Sequence, residues 1–220
     1  MKRQSETREN YLKCIFKFSG SGERVSTNTL ANFLKTSPAS VTDMIKKLKK
    51  DGLVDYLKHQ GVTLTPAGKE IALKILRKHR LWEVFLVQKL NFSWDQVHDM
   101  AEQLEHIDSN ELISALDKFL GSPNFDPHGD PIPNEKGEIP DRNTYFISEA
   151  EPGEEVVIAS VGHSDPDFLQ YLEKVGLTIN RRVTVVEKLS FDNSLQIIVQ
   201  GAQMVISGNV AHNLLVLRDV

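Results

Sequence analysis

The sequence has 220 residues, which is long enough for one or two domains with hydrophobic cores. Its content of 40% hydrophobic and 25% charged residues is typical of a globular protein, and no apolar run of about 18 residues indicates a membrane span. The single cysteine, Cys14, excludes a disulfide framework within the chain and favours a reducing compartment. Since the N-terminal residues also lack the apolar segment of a signal peptide, we expect a cytoplasmic protein.

The net charge of −4 is unevenly distributed along the chain. Residues 1–80 contain 17 Lys or Arg and 7 Asp or Glu, a balance of +10. Residues 81–220 contain 9 Lys or Arg and 23 Asp or Glu, a balance of −14. A basic N-terminal part on an acidic remainder indicates that the first part contacts a polyanion such as nucleic acid.

Apolar spacing predicts three helices in the N-terminal part, in residues 5–19, STNTLANFLKT and SPASVTDMIKKLKKDG. Ser37 is placed to cap the third helix, with Pro38 in its first turn and Gly52 after its end. A short hairpin that turns at Gly61 follows in LVDYLKHQGVTLTPAG. Helices joined by a tight turn and followed by a hairpin are typical of a winged helix-turn-helix.

The second helix of such a motif lies in the major groove of DNA, with its N-terminal residues on the base edges. Lysines later in the helix and in the wing would contact phosphates. The candidate DNA-binding residues are Ser37, Pro38, Ala39, Ser40, Thr42, Asp43, Lys46, Lys47 and Lys58. The alternative interpretation is a solvated, lysine-rich helix in some other helical domain.

His and Glu residues recur at spacings of three and four within residues 77–109. His79 and Glu83 lie one turn apart on a long predicted helix, PAGKEIALKILRKHRLWEVFLVQKL. The next predicted helix, SWDQVHDMAEQLEHI, carries four such residues within a sector of roughly 100°: His98, Glu102, Glu105 and His106. Converging imidazoles and carboxylates are what a divalent metal needs, but a solvated helix face has the same pattern.

The chain changes character after a third predicted helix, NELISALDKFLG, whose apolar stripe is either a dimer surface or part of the core. Residues 121–141 contain five Pro and three Gly, which predicts loop and linker, and we interpret His128 there as a turn residue. Short β-rich runs follow, with one helical pattern, PDFLQYLEKVGL, among them. They predict a small β-barrel of about 75 residues.

The order of these features resembles the diphtheria toxin repressor family of iron- or manganese-dependent transcriptional repressors. The resemblance rests on RKHRLWE, VHDMAEQLEH and DPHGDPIP and covers essentially the whole chain. It implies an α+β chain with a winged helix-turn-helix DNA-binding domain in residues 1–65, a helical metal-binding and dimerisation domain in 66–122, a Pro-rich linker in 123–143 and an SH3-like β-barrel in 144–220. It also implies a homodimer that binds a palindromic operator in double-stranded DNA when metal is loaded.

The resemblance further implies two metal sites. The ancillary site matches His79, Glu83 and His98, with a further ligand from the SH3-like domain for which the candidates are His163, Asp165 and Asp167. The primary site matches Asn10, Glu102, Glu105 and His106.

The identity of the metal depends on positions 10 and 102. Iron-sensing members of the family typically carry Met and Cys at these positions, and manganese-sensing members Asp and Glu. Glu102 therefore favours Mn²⁺, with Fe²⁺ as the alternative. Asn10 departs from both patterns, and so does Lys13, which stands where some manganese sensors have Glu.

The sequence thus predicts a metal-dependent repressor of metal-ion homeostasis rather than an enzyme. Two alternatives stay open. One is a winged-helix regulator whose metal is structural and not sensed. The other is a metal-dependent hydrolase, which lacks support because the chain has neither an HExxH motif nor a nucleophile with an oriented base.

Overall fold

The fold is that of a computed structural model, which describes residues 2–19 and 22–218. The last two residues of the predicted terminal strand, Asp219 and Val220, lie outside these ranges. The chain forms two compact units. The first unit contains the residues up to His79 together with 105–108 and 133–138, and the second contains 80–104, 109–132 and the residues from Ile139 onward.

The first unit contains the predicted winged helix-turn-helix. Its elements are α1 (Lys2–Phe18), α2 (Thr27–Phe33), α3 (Pro38–Lys50) and an antiparallel hairpin of β1 (Val54–Leu57) and β2 (Gly61–Leu64). Helix α3 begins where predicted, because the Ser37 hydroxyl accepts a hydrogen bond from the Ser40 backbone N–H at 3.1 Å. The apolar faces of these elements share one core, which includes Leu12, Ile15, Leu30, Ile45, Leu48 and Val62.

Helix α4 (Pro66–Leu90) contributes residues to both units. Two shorter helices follow in the second unit, α5 (Val97–Leu104) and α6 (Asn110–Phe119). The stripe of α6 is divided between core and surface, since Ile113 and Leu116 are buried whereas Leu112 and Phe119 are exposed.

The C-terminal part of the second unit is a six-stranded antiparallel sheet in the order β3-β8-β4-β5-β6-β7. Its strands are β3 (Tyr145–Phe146), β4 (Glu155–Val161), β5 (Arg182–Leu189), β6 (Ser194–Val199), β7 (Ala202–Ile206) and β8 (Leu214–Arg218), with helices α7 (Pro166–Lys174) and α8 (Gly208–Ala211) between them. A 3₁₀ turn, Ile147–Glu149, follows β3. One continuous core fills this part and includes Ile158, Leu169, Leu172, Val185 and Ile197.

Helix α5 is shorter than the sequence predicted. It runs from Val97 to Leu104, and Glu105 and His106 lie in the turn directly after it. The Glu105 carboxylate is buried in the first unit, where it contacts Lys13 and His79.

The Pro-rich segment is a loop, as predicted, but much of it is packed. Asp126, His128 and Ile132 are buried, and an isolated bridge pairs Phe125 with Pro131. In residues 2–19 and 22–218, no helix has both the length and the apolar composition needed to cross a lipid bilayer.

Candidate metal centres and nucleic-acid interface

A buried group of metal-ligand type lies in the second unit. It consists of Glu83 on α4 and of Asp126 and His128 in the Pro-rich loop. One carboxylate oxygen of each acid and one ring nitrogen of His128 all lie within 4.8 Å of one another. The His128 Nδ1 atom is 3.7 Å from Glu83 Oε2 and 3.9 Å from Asp126 Oδ1. On its other side the ring is fixed, because Nε2 lies 2.8 Å from the Trp94 carbonyl oxygen and can donate to it. This arrangement directs Nδ1 to the two carboxylates.

The electrostatics of this group suit a divalent cation. Burial, together with the negative charges of Glu83 and Asp130, raises the pKa of Asp126 above its usual range. Burial lowers the pKa of His128, but its hydrogen bond to Glu83 and the charges of Glu83 and Asp126 outweigh burial and raise it to about 9. Arg80 contributes positive charge, with Nε 3.5 Å from Asp126 Oδ2. Two buried carboxylates side by side require such compensation, and a metal ion with oxygen and nitrogen ligands fits the residues present.

The loop that carries Asp126 and His128 is held by backbone contacts. The Asp126 Oδ1 atom accepts from the backbone N–H groups of His128 at 2.8 Å and Asp130 at 3.0 Å. The Val161 N–H on β4 donates to the His128 carbonyl at 3.1 Å. Gly129, between His128 and Asp130 in the chain, has φ +85°. A Cβ atom at this position would lie 2.0 Å from the Ala159 carbonyl oxygen. Only glycine fits this close approach.

Glu83 also lies beside the predicted ligand His98. The His98 Nδ1 atom is 3.4 Å from Glu83 Oε1, and its Nε2 is 3.7 Å from Glu102 Oε1 on the exposed side of α5. His79 lies one helical turn before Glu83 on α4 and is buried.

A second cluster lies in the first unit, around Glu105. This fully buried carboxylate receives Lys13 Nζ at 2.6 and 2.7 Å and has His79 Nδ1 at 2.6 Å. Burial raises the pKa of Glu105, but the hydrogen bond from His79 and the charge of Lys13 outweigh burial and hold it below its usual range. The His106 Nδ1 atom lies 2.7 Å from Glu9 Oε2. Asn10 is the remaining predicted ligand in this unit, and its buried Oδ1 has no hydrogen-bond partner among the described residues.

The residues predicted to supply a ligand from the C-terminal part have other contacts. Asp165 caps α7, since its Oδ1 accepts from the backbone N–H groups of Asp167 and Phe168. Asp167 is exposed, and the His163 ring packs at 4.4 Å on that of Phe168. The clusters found among the described residues include none of the three, so their role as ligands stays a prediction.

Helix α3 presents its predicted DNA-binding residues to solvent. The exposed residues are Ser37, Pro38, Ala39, Ser40, Asp43, Lys46, Lys47 and, in the hairpin, Lys58. Thr42 is half-buried, and its hydroxyl donates to the Pro38 carbonyl at 2.8 Å. Asp43 lies 3.6 Å from Lys46, a weak exposed ion pair that base or phosphate contacts can replace.

Sequence reasoning did not identify Asp126 and His128 as candidate ligands. His128 lies in a turn, as predicted, but its imidazole is buried against Glu83 and Asp126. The available signal was the DPHGDPIP segment itself, where a His is flanked by two Asp inside a loop rich in apolar and turn residues. Their partner, Glu83, is more than 40 positions away, and no helical spacing connects them.

Three family profiles match successive parts of the chain. Residues 4–62 match the iron dependent repressor N-terminal DNA binding domain, and residues 65–134 match the metal binding and dimerisation domain of the same repressors. Residues 147–218 match the FeoA domain. The chain belongs to the iron-dependent repressor family. Its similarity to the iron-dependent repressor IdeR of Mycobacterium tuberculosis strain H37Rv is 30% identity over 192 residues, 82% of this chain and 84% of the relative.

Other family members agree with this assignment. The diphtheria toxin repressor of Corynebacterium diphtheriae is 32% identical over 133 residues, 60% of this chain and 59% of the relative. A manganese-dependent transcriptional repressor solved in complex with manganese superposes with a TM-score of 0.87 at 35% identity, covering 96% of this chain and 99% of that one. The manganese regulator SloR superposes with a TM-score of 0.77 at 31% identity over 96% and 98% of the two chains.

Family membership confirms several predictions. The chain is a metal-responsive, DNA-binding transcriptional repressor and not an enzyme. It combines an N-terminal DNA-binding domain, a helical domain of the metal-binding and dimerisation type, and a C-terminal SH3-like FeoA domain.

We expect Gly129→Ala to displace the His128 loop and destabilise the fold by more than about 2 kcal/mol, because strain at positive φ is added to a backbone clash. Gly121→Ala is the matched control, since Gly121 also has positive φ (+80°) but its added methyl group would have no neighbour within 4 Å. Thermal unfolding of the two variants measures the difference. Equal losses of stability would show that the Ala159 contact does not fix the loop.

Proposed function

We propose that the protein is a metal-dependent transcriptional repressor that controls metal-ion homeostasis, with Mn²⁺ as the favoured corepressor and Fe²⁺ as the alternative. The observation that carries this proposal is the buried group of Glu83, Asp126 and His128 in a chain that also has a DNA-binding domain. Its carboxylates and imidazole converge away from solvent, where a divalent ion would neutralise their repulsion.

The donor set supports Mn²⁺ over a softer metal. The candidate ligands are carboxylate, amide and imidazole groups: Asn10, His79, Glu83, His98, Glu102, Glu105, His106, Asp126 and His128, with Asp165 and Asp167 as candidates from the C-terminal part. Hard oxygen donors suit Mn²⁺, whereas thiolates suit softer ions. The single cysteine, Cys14, is buried in the core of the first unit. Two manganese regulators among the similar structures agree with this choice.

The DNA partner is proposed to be a palindromic operator. Two copies of the exposed α3 N-terminus, related by the two-fold axis of a homodimer, would read two half-sites on cytoplasmic double-stranded DNA. The functional division would be residues 1–65 for DNA binding, 66–122 for metal binding and dimerisation, 123–143 as a connecting loop and 144–220 as the SH3-like part.

The dimer surface is proposed to include the exposed side of α6. Phe119 is 63% exposed, which is unusual for so large an apolar side chain, and Leu112 is exposed on the same helix. The Phe119 ring lies 6.4 Å from that of Phe85, and Lys89 Nζ lies 5.1 Å from its centroid. Ile113 and Leu116, by contrast, face the core of their own chain.

Binding of operator DNA is expected to depend on the metal ion. Operator DNA from upstream of a metal-transporter gene should bind tightly with Mn²⁺ or anaerobic Fe²⁺ and weakly with chelator. Glu83→Gln should lower the metal-dependent affinity by on the order of tenfold or more, because it removes a buried anionic ligand. Fluorescence anisotropy measures the binding, and Glu173→Gln, at an exposed glutamate on α7, is the matched control.

The same titration distinguishes a metal-sensing repressor from the alternative, a winged-helix regulator whose metal is only structural. In that case DNA affinity would be equal with metal and with chelator, although metal would raise the melting temperature. Equal DNA affinity without any effect of metal on melting would contradict both proposals.

Lys47 on α3 is expected to contact a DNA phosphate. Lys47→Gln should weaken binding to all DNA sequences to a similar extent and reduce the slope of log affinity against log salt by about 1, because one counterion-releasing contact is lost. Lys69→Gln, on the exposed side of α4, should leave the slope unchanged. A salt dependence that both variants share with the parent would remove Lys47 from the interface.

Phe119 is expected to lie in the dimer interface. Phe119→Glu should shift the protein towards monomer in sedimentation or light scattering, because two like charges would be buried at the two-fold interface. Phe191→Glu makes the same change at a residue that is 99% exposed between β5 and β6 and should leave the dimer intact. Dimers of undiminished stability in Phe119→Glu would place the interface elsewhere.

A further inference from the structure

Lys13 binds a predicted metal ligand directly. Its ammonium lies 2.6 Å from Oε1 and 2.7 Å from Oε2 of Glu105, a carboxylate with 0% exposure. Oε2 also has His79 Nδ1 at 2.6 Å, and Oε1 has His106 Nε2 at 3.8 Å. Both carboxylate oxygens thus have a cationic or N–H partner from the chain itself.

The same turn of α1 contacts the other predicted ligand of this cluster. Glu9 lies 2.7 Å from His106, and Asn10 carries the buried amide oxygen that has no hydrogen-bond partner among the described residues. Asn10 and Lys13 are three positions apart and therefore lie on one face of α1. One face of α1 thus carries both the predicted neutral oxygen ligand Asn10 and the positive charge that binds Glu105.

We propose that Lys13 is an internal competitor of the metal ion for Glu105, and that it sets the metal concentration at which this carboxylate becomes a ligand. The proposal rests on the proposed function, in which Asn10, Glu105 and His106 belong to a metal site. Lys13 would lower the affinity of the site for the metal without being a ligand itself, since it acts on the metal through Glu105.

The charges explain why the ammonium and the metal compete. A buried carboxylate requires about one positive charge, and Lys13 supplies it at hydrogen-bonding distance. A divalent ion bound to Glu105 would add two more positive charges next to the ammonium, so the lysine must withdraw or weaken the metal. Withdrawal is sterically available, because the Lys13 side chain is 15% exposed and its four-carbon stem is flexible.

The test measures Mn²⁺ binding to the full-length protein by competition with a fluorescent chelator, together with melting temperature with and without Mn²⁺. We expect Lys13→Gln to bind Mn²⁺ on the order of tenfold more tightly at one site, because a charge-assisted hydrogen bond no longer opposes the metal. Mn²⁺ should also raise its melting temperature more than that of the parent. Lys17→Gln is the matched control, since Lys17 lies one turn later on α1 and stacks on Phe33 at 4.9 Å.

A double variant shows whether Lys13 acts through Glu105. Lys13→Gln should have no effect on Mn²⁺ affinity in a Glu105→Gln background. Unchanged or weaker Mn²⁺ binding by Lys13→Gln, or the same gain in the double variant, would overturn the proposal. Loss of Mn²⁺ at one site in Glu105→Gln would still support the proposed function in that case. Full retention of Mn²⁺ in Glu105→Gln would remove Glu105 from the ligands and overturn this proposal, whereas the proposed function would then depend on the group of Glu83, Asp126 and His128.

Lys13→Arg keeps the test decisive if Lys13→Gln does not fold. A guanidinium retains the charge and can bind the carboxylate with two parallel hydrogen bonds, so it should compete more strongly and weaken Mn²⁺ binding several-fold. Unchanged Mn²⁺ affinity in Lys13→Arg would contradict competition at Glu105.

Discussion

The burial of negative charge is the constraint on which the functional parts of this protein depend. Glu83, Glu105 and Asp126 are all buried, and an uncompensated buried carboxylate would destabilise the fold by several kcal/mol. In the first unit the compensation comes from Lys13 and His79, and in the second from Arg80 and His128. Glu105, directly after the end of α5 at Leu104, is the fully buried member of the three.

The two units meet this constraint in opposite ways. Lys13 and His79 keep the pKa of Glu105 below its usual range, so the carboxylate remains charged. Asp126 has a second carboxylate, Glu83, beside it, and burial together with this repulsion raises its pKa. Under the proposed function, a metal ion would bind Glu83 and Asp126 beside Arg80 and His128, whereas at Glu105 it would take the place of the Lys13 ammonium.

Local sequence signals predicted the helices and their caps. Ser37 and Pro38 start α3 as expected, and the apolar spacing of α1 and α3 places their buried residues correctly, because these features depend on neighbours within one or two turns. The β-rich runs likewise predicted the C-terminal strands from alternation and turn residues. The i,i+4 spacing predicted that His79 and Glu83 share a face of α4.

The features that the sequence did not predict depend on contacts between distant residues. The helical pattern of SWDQVHDMAEQLEHI continues through Glu105, and nothing in that pattern predicts the burial of Glu105 against Lys13, far away in the chain. His128 resembles an ordinary turn residue until Glu83 is placed beside it. The divided role of α6 is similar, since periodicity identifies an apolar stripe but not which of its residues face the core.

Under the proposed function, the position of the Pro-rich loop would connect metal binding in the second unit to the C-terminal sheet. Glu83 belongs to a long helix, Asp126 and His128 belong to the loop, and the loop backbone is hydrogen-bonded to β4 through Val161. A metal ion that binds all three side chains would add its binding free energy to the attachment of the loop, because ligands from separate elements are brought together only in the folded state. Because the Gly129 backbone packs closely against Ala159 on β4, a shift of His128 would also be expected to disturb that strand. The SH3-like part would thus respond to the metal through the loop even if none of its own side chains is a ligand.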